Sequence, residues 1–184
     1  MRYILLIALV LVILQLPIGT VQASTSADVT ITVTPQVVSI SCAPLTFAIG
    51  MVDASSVHWA KNDLIEPSWP LTEGNCTYVI TNNGLVNVDV DIRGADLIAG
   101  AGKTLTLAAA IGGDTYALKA GSSGTANLAA MLQVNKVAGQ EMISNLDYHA
   151  GNNTQGFELV FYAPTVFSFA DMASGTITLT AREP

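Results

Sequence analysis

Residues 76–94 of the chain read CTYVITNNGLVNVDVDIRG, and this stretch decides the predicted fold. Apolar and polar side chains alternate without a break from residue 86 to residue 93. Its apolar members are Val86, Val88, Val90 and Ile92. A period of two is typical of a strand with one buried face. The dipeptide Asn83-Gly84 before it is a strong turn signal, because both residues tolerate positive φ. The sequence therefore predicts a hairpin that joins residues 76–81 to residues 86–92.

The same alternation recurs in short segments along the chain. Examples are VTITV at residues 29–33, LTFAIGM at 45–51 and FELVFY at 157–162. Thr, Val, Ile and aromatic residues suit strands, and Gly and Asn punctuate them. About seven to nine short strands with half-polar faces predict an all-β fold, an antiparallel β-sandwich that is Ig-like or jelly-roll-like. We expect a closing hairpin between residues 157–162 and 176–181, and at most one short helix, within Gly124–Gln133.

The N-terminus has the three parts of a secretory signal. Arg2 is followed by an apolar run from Tyr3 to Leu14, and Val21 and Ala23 form a small-residue cleavage site. The apolar run is shorter than the roughly 20 residues that cross a bilayer, although a retained anchor is the alternative. We predict a signal peptide at residues 1–23 and a single secreted domain at residues 24–184, with no membrane association after cleavage.

Composition narrows the classes of partner. The chain has 184 residues, of which only 11% are charged, and cleavage after Ala23 removes Arg2 and takes the formal charge from −7 to −8. An acidic surface that is poor in lysine argues against nucleic acid as a partner. Two cysteines, Cys42 and Cys76, remain in the mature chain. In a secreted protein an even count predicts a disulfide, with two buried free thiols as the alternative.

The two carboxylates of the alternating strand raise the question of a ligand. Asp89 and Asp91 share one face, and Asp96 follows shortly after, so a calcium site is one candidate. Residues two apart on a strand are roughly 7 Å apart, which is too far for chelation without a third element. Arg93 also stands where a third ligand should be. The favoured interpretation is a solvated face that blocks edge pairing, and no metal or other cofactor is predicted.

Aromatic residues in two long connections offer a second candidate site. Trp59, Trp69 and Tyr148 could form a stacking platform for carbohydrate, because loop aromatics serve many binding modules. The alternative is that the long connection folds back and uses the tryptophans as its own small core.

No motif predicts an enzyme. His58 and His149 lie in separate connections, and Asp147 is two residues from the second histidine. Nucleophilic catalysis needs a base beside the nucleophile, and the sequence places no serine there. We predict no catalytic residues, and a clustering of these three side chains is the feature that would reverse this interpretation.

Three stretches carry a resemblance to a known class of protein. They are TNNGLVNVDVDIRGADL at residues 81–97, TYALKAG at 115–121 and FELVFYAPTVFSFADMASGTITLTA at 157–181. Together they resemble small secreted Ig-like surface proteins of the TasA/camelysin type, some of which build extracellular fibres. The resemblance implies a β-sandwich at the cell surface. The chain departs from that pattern in its cysteine pair and in lacking a metal-ligand cluster.

The sequence therefore favours a secreted structural or interaction protein of the cell surface or extracellular matrix. We expect partners to be copies of itself or other surface proteins, and a fibre or surface-layer subunit fits the abundant Thr, Asn and Gly. The alternating segment Ser24–Pro35 could pair with the open edge of a neighbour by strand addition, or it could pair within its own sheet. A carbohydrate-binding module is the alternative function.

Overall fold

The computed structural model describes residues 37–184, so the predicted signal peptide and the segment Ser24–Pro35 lie outside the described residues. The described residues contain twelve strands. They are β1 (Ile40–Ala43), β2 (Val57–Trp59), β3 (Tyr78–Asn82), β4 (Val88–Arg93), β5 (Leu97–Ala99), β6 (Thr104–Leu107), β7 (Thr115–Ser122), β8 (Leu132–Gln133), β9 (Gln140–Leu146), β10 (Thr154–Tyr162), β11 (Ala173–Ser174) and β12 (Thr178–Arg182). The prediction of an all-β fold is confirmed.

The strands form two sheets of unequal size. The large sheet has the order β1-β3-β10-β7-β6-β5-β11, with β2 paired to β10 and β8 paired to β7, and it curls like half a barrel. The small sheet has the order β12-β4-β9. Strands β6 and β7 run parallel, whereas the other strand pairs run antiparallel. The large sheet is therefore mixed, and the expectation of purely antiparallel pairing is wrong at this pair.

One buried cluster takes side chains from both sheets. Val88, Val90 and Ile92 of β4 are completely buried, as their alternation predicted. They share the cluster with Leu159 and Phe161 of β10 and with residues of β3, β6, β7 and β9. Burying such side chains contributes about 1.5–3 kcal/mol each, so the core holds the two sheets together.

The Asn83-Gly84 turn joins two sheets and does not close a hairpin. Strand β3 belongs to the large sheet and β4 to the small one. The buried amide of Asn82 explains the change of sheet. Its side chain donates to the carbonyls of Val86 and Leu146 at 2.9 and 3.1 Å and accepts from the N–H of Gly84. The backbone N–H of Asn83 in the turn is also hydrogen-bonded, because it donates to the carbonyl of Ser39.

Three other local predictions are corrected. Strand β12 pairs with β4 and not with β10, so the expected closing hairpin is absent from residues 37–184. LTFAIGM, residues 45–51, forms a connection without strand pairing in the described chain. The expected helix in Gly124–Gln133 is reduced to a 3₁₀ turn at Leu128–Ala130, whose N-terminal Asn127 side chain accepts from the N–H of Ala130.

Candidate functional site

An apolar groove opens on the face of the large sheet that meets the small sheet. Its volume is about 1170 Å³. The floor carries aromatic and aliphatic side chains of β3, β7 and β10, namely Tyr78, Leu118, Phe157, Leu159 and Phe161. The sides come from residues 44–53, from residues 167–177 and from Leu179 of β12. The groove is therefore an open part of the space between the two sheets.

Large apolar side chains stand exposed along the rim of this groove. Leu45, Met51 and Met172 all line it and are 87%, 99% and 93% exposed. Single exposed apolar residues are ordinary on a surface, and these three are distinguished because all of them line one groove. The rim thus continues the apolar character of the floor out to solvent.

The groove floor offers little acid–base chemistry. The hydroxyl of Tyr78 donates to the carbonyl of Thr46 at 3.0 Å, and that of Tyr116 donates to the carbonyl of Ala95. Burial raises the pKa of both tyrosines, and the nearby charge of Glu158 raises that of Tyr78 further. Both hydroxyls therefore stay protonated donors. The arrangement suits an apolar occupant more than a reacting polar one.

The free edge of the small sheet borders the groove. Within the described chain β12 pairs only with β4, so its other side presents unpaired backbone groups. Ile177 and Leu179 line the groove and are only partly buried. Edge strands of this kind are templates for pairing with another strand.

Asp89 and Asp91 bind an arginine of the neighbouring strand. Arg182 of β12 contacts Asp89 Oδ2 at 2.7 Å, Asp91 Oδ2 at 3.4 Å and the carboxylate of Glu141 on β9. Asp89 is almost completely buried and also accepts from the N–H of Asn145. The two carboxylates thus tie the three strands of the small sheet together.

Asp96 lies apart from that cluster. It binds Lys136 at 2.9 Å and accepts from the N–H of Leu107, and the first of these contacts is the main cause of its lowered pKa. The three aspartates of the candidate calcium site are therefore not brought together. Among residues 37–184, no group of three or more His, Cys, Asp or Glu side chains is placed to hold a metal ion.

The candidate aromatic platform is divided between two places. Trp59 is buried and meets Trp69 edge-to-face at 6.0 Å, in a small cluster with Met131 and Val160. Tyr148 lies in another connection, where its ring packs on His149. The tryptophans thus form the small core that was the alternative interpretation, and Trp59 offers no free ring face to a sugar.

Cys42 and Cys76 are free thiols in this structure. Cys42 lies opposite Ile80 in the β1–β3 register, and Cys76 precedes Ile80 by four residues. The bend at Thr77 and the first residues of β3 separate the two positions along the chain, whereas bridged Cα atoms lie within about 7 Å. Burial, and then the charges of Glu73 and Glu158, raise the pKa of Cys76 to about 12. The predicted disulfide would require movement of the backbone.

The two histidines are held by different aspartates. Asp147 accepts from the backbone N–H of His149 at 2.9 Å and contacts Nδ1 of the same residue at 2.7 Å on the surface. The backbone bond first, and then the side-chain contact, lower the pKa of the carboxyl. His58 is buried and contacts Asp63 and Ser56. Sequence reasoning missed both partners of His58. The only signal for them was the presence of polar residues two and five positions away.

Comparison of the chain with protein-family models, with curated proteins and with solved structures gives no match. In the described part of the chain, no helix is long and apolar enough to cross a membrane. The groove, the open edge and the side chains around them are therefore the features that bear on function.

Proposed function

We propose that this protein is a secreted structural subunit of a cell surface or extracellular matrix, and that its copies assemble by strand addition. The alternating segment of one copy, residues 28–34, would enter the apolar groove of the next copy and pair with the free edge of β12. The observation that carries the proposal is the groove with its apolar floor and rim beside an edge of β12 that has no partner among residues 37–184.

The pattern of the segment supports this fit. Val29, Ile31 and Val33 fall on one face, and Thr30 and Thr32 fall on the other. In a strand this alternation presents one apolar face to a groove and one polar face to solvent. The segment contains one charged residue, an aspartate at its first position, so little charge would be buried.

Strand addition between copies would also complete the fold. An added strand would extend the small sheet and cover the open space between the sheets. The result would be a closed β-sandwich of the Ig-like class, the architecture that the sequence predicts. Strand addition is a recurring recognition mode in which backbone hydrogen bonds supply affinity and alternate side chains supply specificity.

The energetics favour a reversible contact. Burial of three aliphatic side chains contributes about 5–9 kcal/mol. Association costs on the order of 4–15 kcal/mol in lost translational and rotational freedom. Backbone hydrogen bonds along β12, at about 0.5–1.5 kcal/mol each, therefore decide the balance. We expect assembly to depend on protein concentration.

The test compares two substitutions on opposite faces of the segment. Ile31→Asp puts a charge on the face that would enter the groove, and Thr32→Asp puts the same charge on the solvent face. Analytical ultracentrifugation and electron microscopy of the mature protein should show concentration-dependent assemblies for the unsubstituted protein and for Thr32→Asp, and monomers for Ile31→Asp. Monomers of the unsubstituted protein at every concentration, or equal effects of the two substitutions, would contradict the proposal.

A further inference from the structure

Ser56, His58 and Asp63 form a hydrogen-bonded chain at the start of β2. Ser56 immediately precedes the strand and His58 is its central residue, so the period of two puts their side chains on one face. Nε2 of His58 lies 2.7 Å from Oγ of Ser56, and Nδ1 lies 2.6 Å from Oδ1 of Asp63. Nucleophile, base and orienting carboxylate thus stand in the order that a serine triad requires.

The backbone holds these groups in place. His58 is 3% exposed and pairs with Phe161 of β10, whose ring lies 6.3 Å from the imidazole. Asp63 is brought back to the strand by a tight loop, where its carbonyl accepts from the N–H of Trp59. Asp63 has a φ of 51° and Ser55 a φ of 62°, both in the left-handed region. Such backbone is strained for residues other than glycine and clusters at functional sites.

The contacts fix the tautomer of the histidine. A carboxylate only accepts hydrogen bonds, so Nδ1 carries the hydrogen that Asp63 accepts. In the neutral imidazole Nε2 then has a lone pair, which faces Oγ of Ser56. The hydroxyl of Ser56 also lies 2.6 Å from the carbonyl of Asp53, a second acceptor for its single hydrogen. Ser56 is partly exposed, so a reagent can reach it.

We propose that Ser56 is a nucleophile that accepts the acyl group of carboxylic esters, with His58 as its base and Asp63 as the positioning residue. Oγ attacks the ester carbonyl, its proton passes to Nε2, and the C–O bond to the leaving alcohol breaks as that proton is returned to it. Water then hydrolyses the acyl-serine. The evidence for this activity does not rest on the proposed assembly, although an added strand would cover the groove beside the triad.

The surroundings define the substrate class. Phe161, which packs near the imidazole, and Asp53, which accepts from Ser56, both line the apolar groove, as does Val52. Ser56 and His58 therefore contact residues that line the groove, and the acyl group should be apolar.

The same geometry predicts slow turnover. The N–H groups of Ser55 and Ser56 donate to the carbonyls of Pro164 and Asp53 and are not free to stabilise an oxyanion. One missing oxyanion donor costs about 10²–10³ in rate. Both acylation and deacylation pass through an oxyanion, so both should be slow. An activated aryl ester has a better leaving group than the acyl-serine, so with such a substrate acylation should outpace hydrolysis and give a burst of product followed by slow turnover.

The test uses the mature protein with 4-nitrophenyl butyrate. We expect a burst of nitrophenolate and a butyryl group on the peptide that contains Ser56, located by mass spectrometry. Ser56→Ala should abolish this adduct. Asp63→Asn should slow its formation by about tenfold or more, because the amide favours the wrong tautomer, and Asp63→Glu should restore part of the rate. Asp147→Asn, which breaks the other aspartate–histidine pair, is the matched control and should react at the original rate.

Thermal melting of each variant separates lost chemistry from lost folding. The adduct on the unsubstituted protein is decisive even if Ser56→Ala does not fold. No butyryl group on Ser56, or unchanged acylation in a folded Asp63→Asn variant, would overturn the proposal. Neither result bears on assembly, which the substitutions at Ile31 and Thr32 test separately.

Discussion

Glu158 should anchor the connection between β2 and β3, which carries Asp63 of the serine–histidine–aspartate chain. This side chain is completely buried on β10. Its Oε1 accepts from the N–H of Lys61 at 2.7 Å, and its Oε2 accepts from the N–H of Thr77 at 2.8 Å. The two bonds tie the beginning and the end of the connection between β2 and β3 to the centre of the large sheet.

Replacing Glu158 leaves these two donors without a partner. A buried donor that loses its acceptor costs about 1–3 kcal/mol, so we expect Glu158→Ala to lower the free energy of unfolding by about 2–6 kcal/mol. Glu158→Gln keeps one acceptor oxygen and turns an amide N–H₂ toward the other donor, so about half of that loss should remain. Glu183→Ala, at the exposed C-terminus, is the control and should cost less than about 0.5 kcal/mol.

Protonation of Glu158 makes the free energy of unfolding depend on pH. Burial raises the pKa of Glu158 above its ordinary 4.5, against the opposing effect of the two N–H bonds. In the window between 4.5 and the raised value the folded state binds more protons than the unfolded state, so stability falls as pH rises. The contribution is fully present below pH 4.5 and is lost as pH rises through the folded pKa. The stability gap between the unsubstituted protein and Glu158→Gln should therefore narrow as pH rises.

Urea unfolding followed by circular dichroism between pH 4 and pH 8, a range chosen to span the ordinary carboxyl pKa, measures both effects. A cost of Glu158→Ala no larger than that of Glu183→Ala would refute the anchoring. A gap between the unsubstituted protein and Glu158→Gln that is constant with pH would refute the raised pKa.

Three further predictions concern the rest of the fold. Arg182→Ala should lower the melting temperature, because three carboxylates lose their cation. The control Arg93→Ala, at the exposed end of β4, should leave it unchanged. Equal melting temperatures of the two variants would contradict the role of Arg182. Gly84→Ala should destabilise the protein strongly, because its Cβ would lie 2.2 Å from a backbone carbonyl oxygen. The control Gly113→Ala meets nothing within 4 Å and should fold normally. Normal folding of both variants would refute the close packing at Gly84. Cys76 is buried and its pKa is raised to about 12, so a thiol reagent should modify it only after unfolding. If no thiol is found in the unfolded protein, the predicted disulfide forms.

Sequence patterns correctly predicted those structural features that depend on residues adjacent along the chain. The alternation of Val88, Val90 and Ile92 correctly predicted a strand with one buried face, because the period of two is set by the backbone alone. The same reasoning failed at Asn83-Gly84. The change of sheet there depends on the amide of Asn82 reaching the carbonyl of Leu146, 64 positions along the chain.

The candidate sites show the same limit. The face of Asp89 and Asp91 was expected to be solvated and to block edge pairing, and that interpretation is wrong, because Asp89 is buried and β4 is the central strand of the small sheet. Both carboxylates bind Arg182, and the strand pairing that brings it there is not visible in the sequence. His58 was noted as an isolated histidine. Its contact with Asp63 depends on a loop that brings a residue in the left-handed region back to the strand.

The groove was missed for a related reason. Alternation indicates which side chains avoid water, but it does not indicate whether two apolar faces meet along their whole length. LTFAIGM was expected to be a strand, and its residues instead form one side of the groove. A gap between sheets is a property of their curvature and pairing, neither of which is encoded in any single segment.

Photo-crosslinking from position 31 tests the central claim of strand addition between copies most directly. The mature protein would carry a photoreactive amino acid in place of Ile31, with Thr32 substituted in the same way as the control. The account predicts covalent dimers whose linked peptide contains Leu179 of β12 or Ile177 just before that strand, and far fewer dimers from position 32. Crosslinks confined within single chains, or equal yields from the two positions, would contradict it.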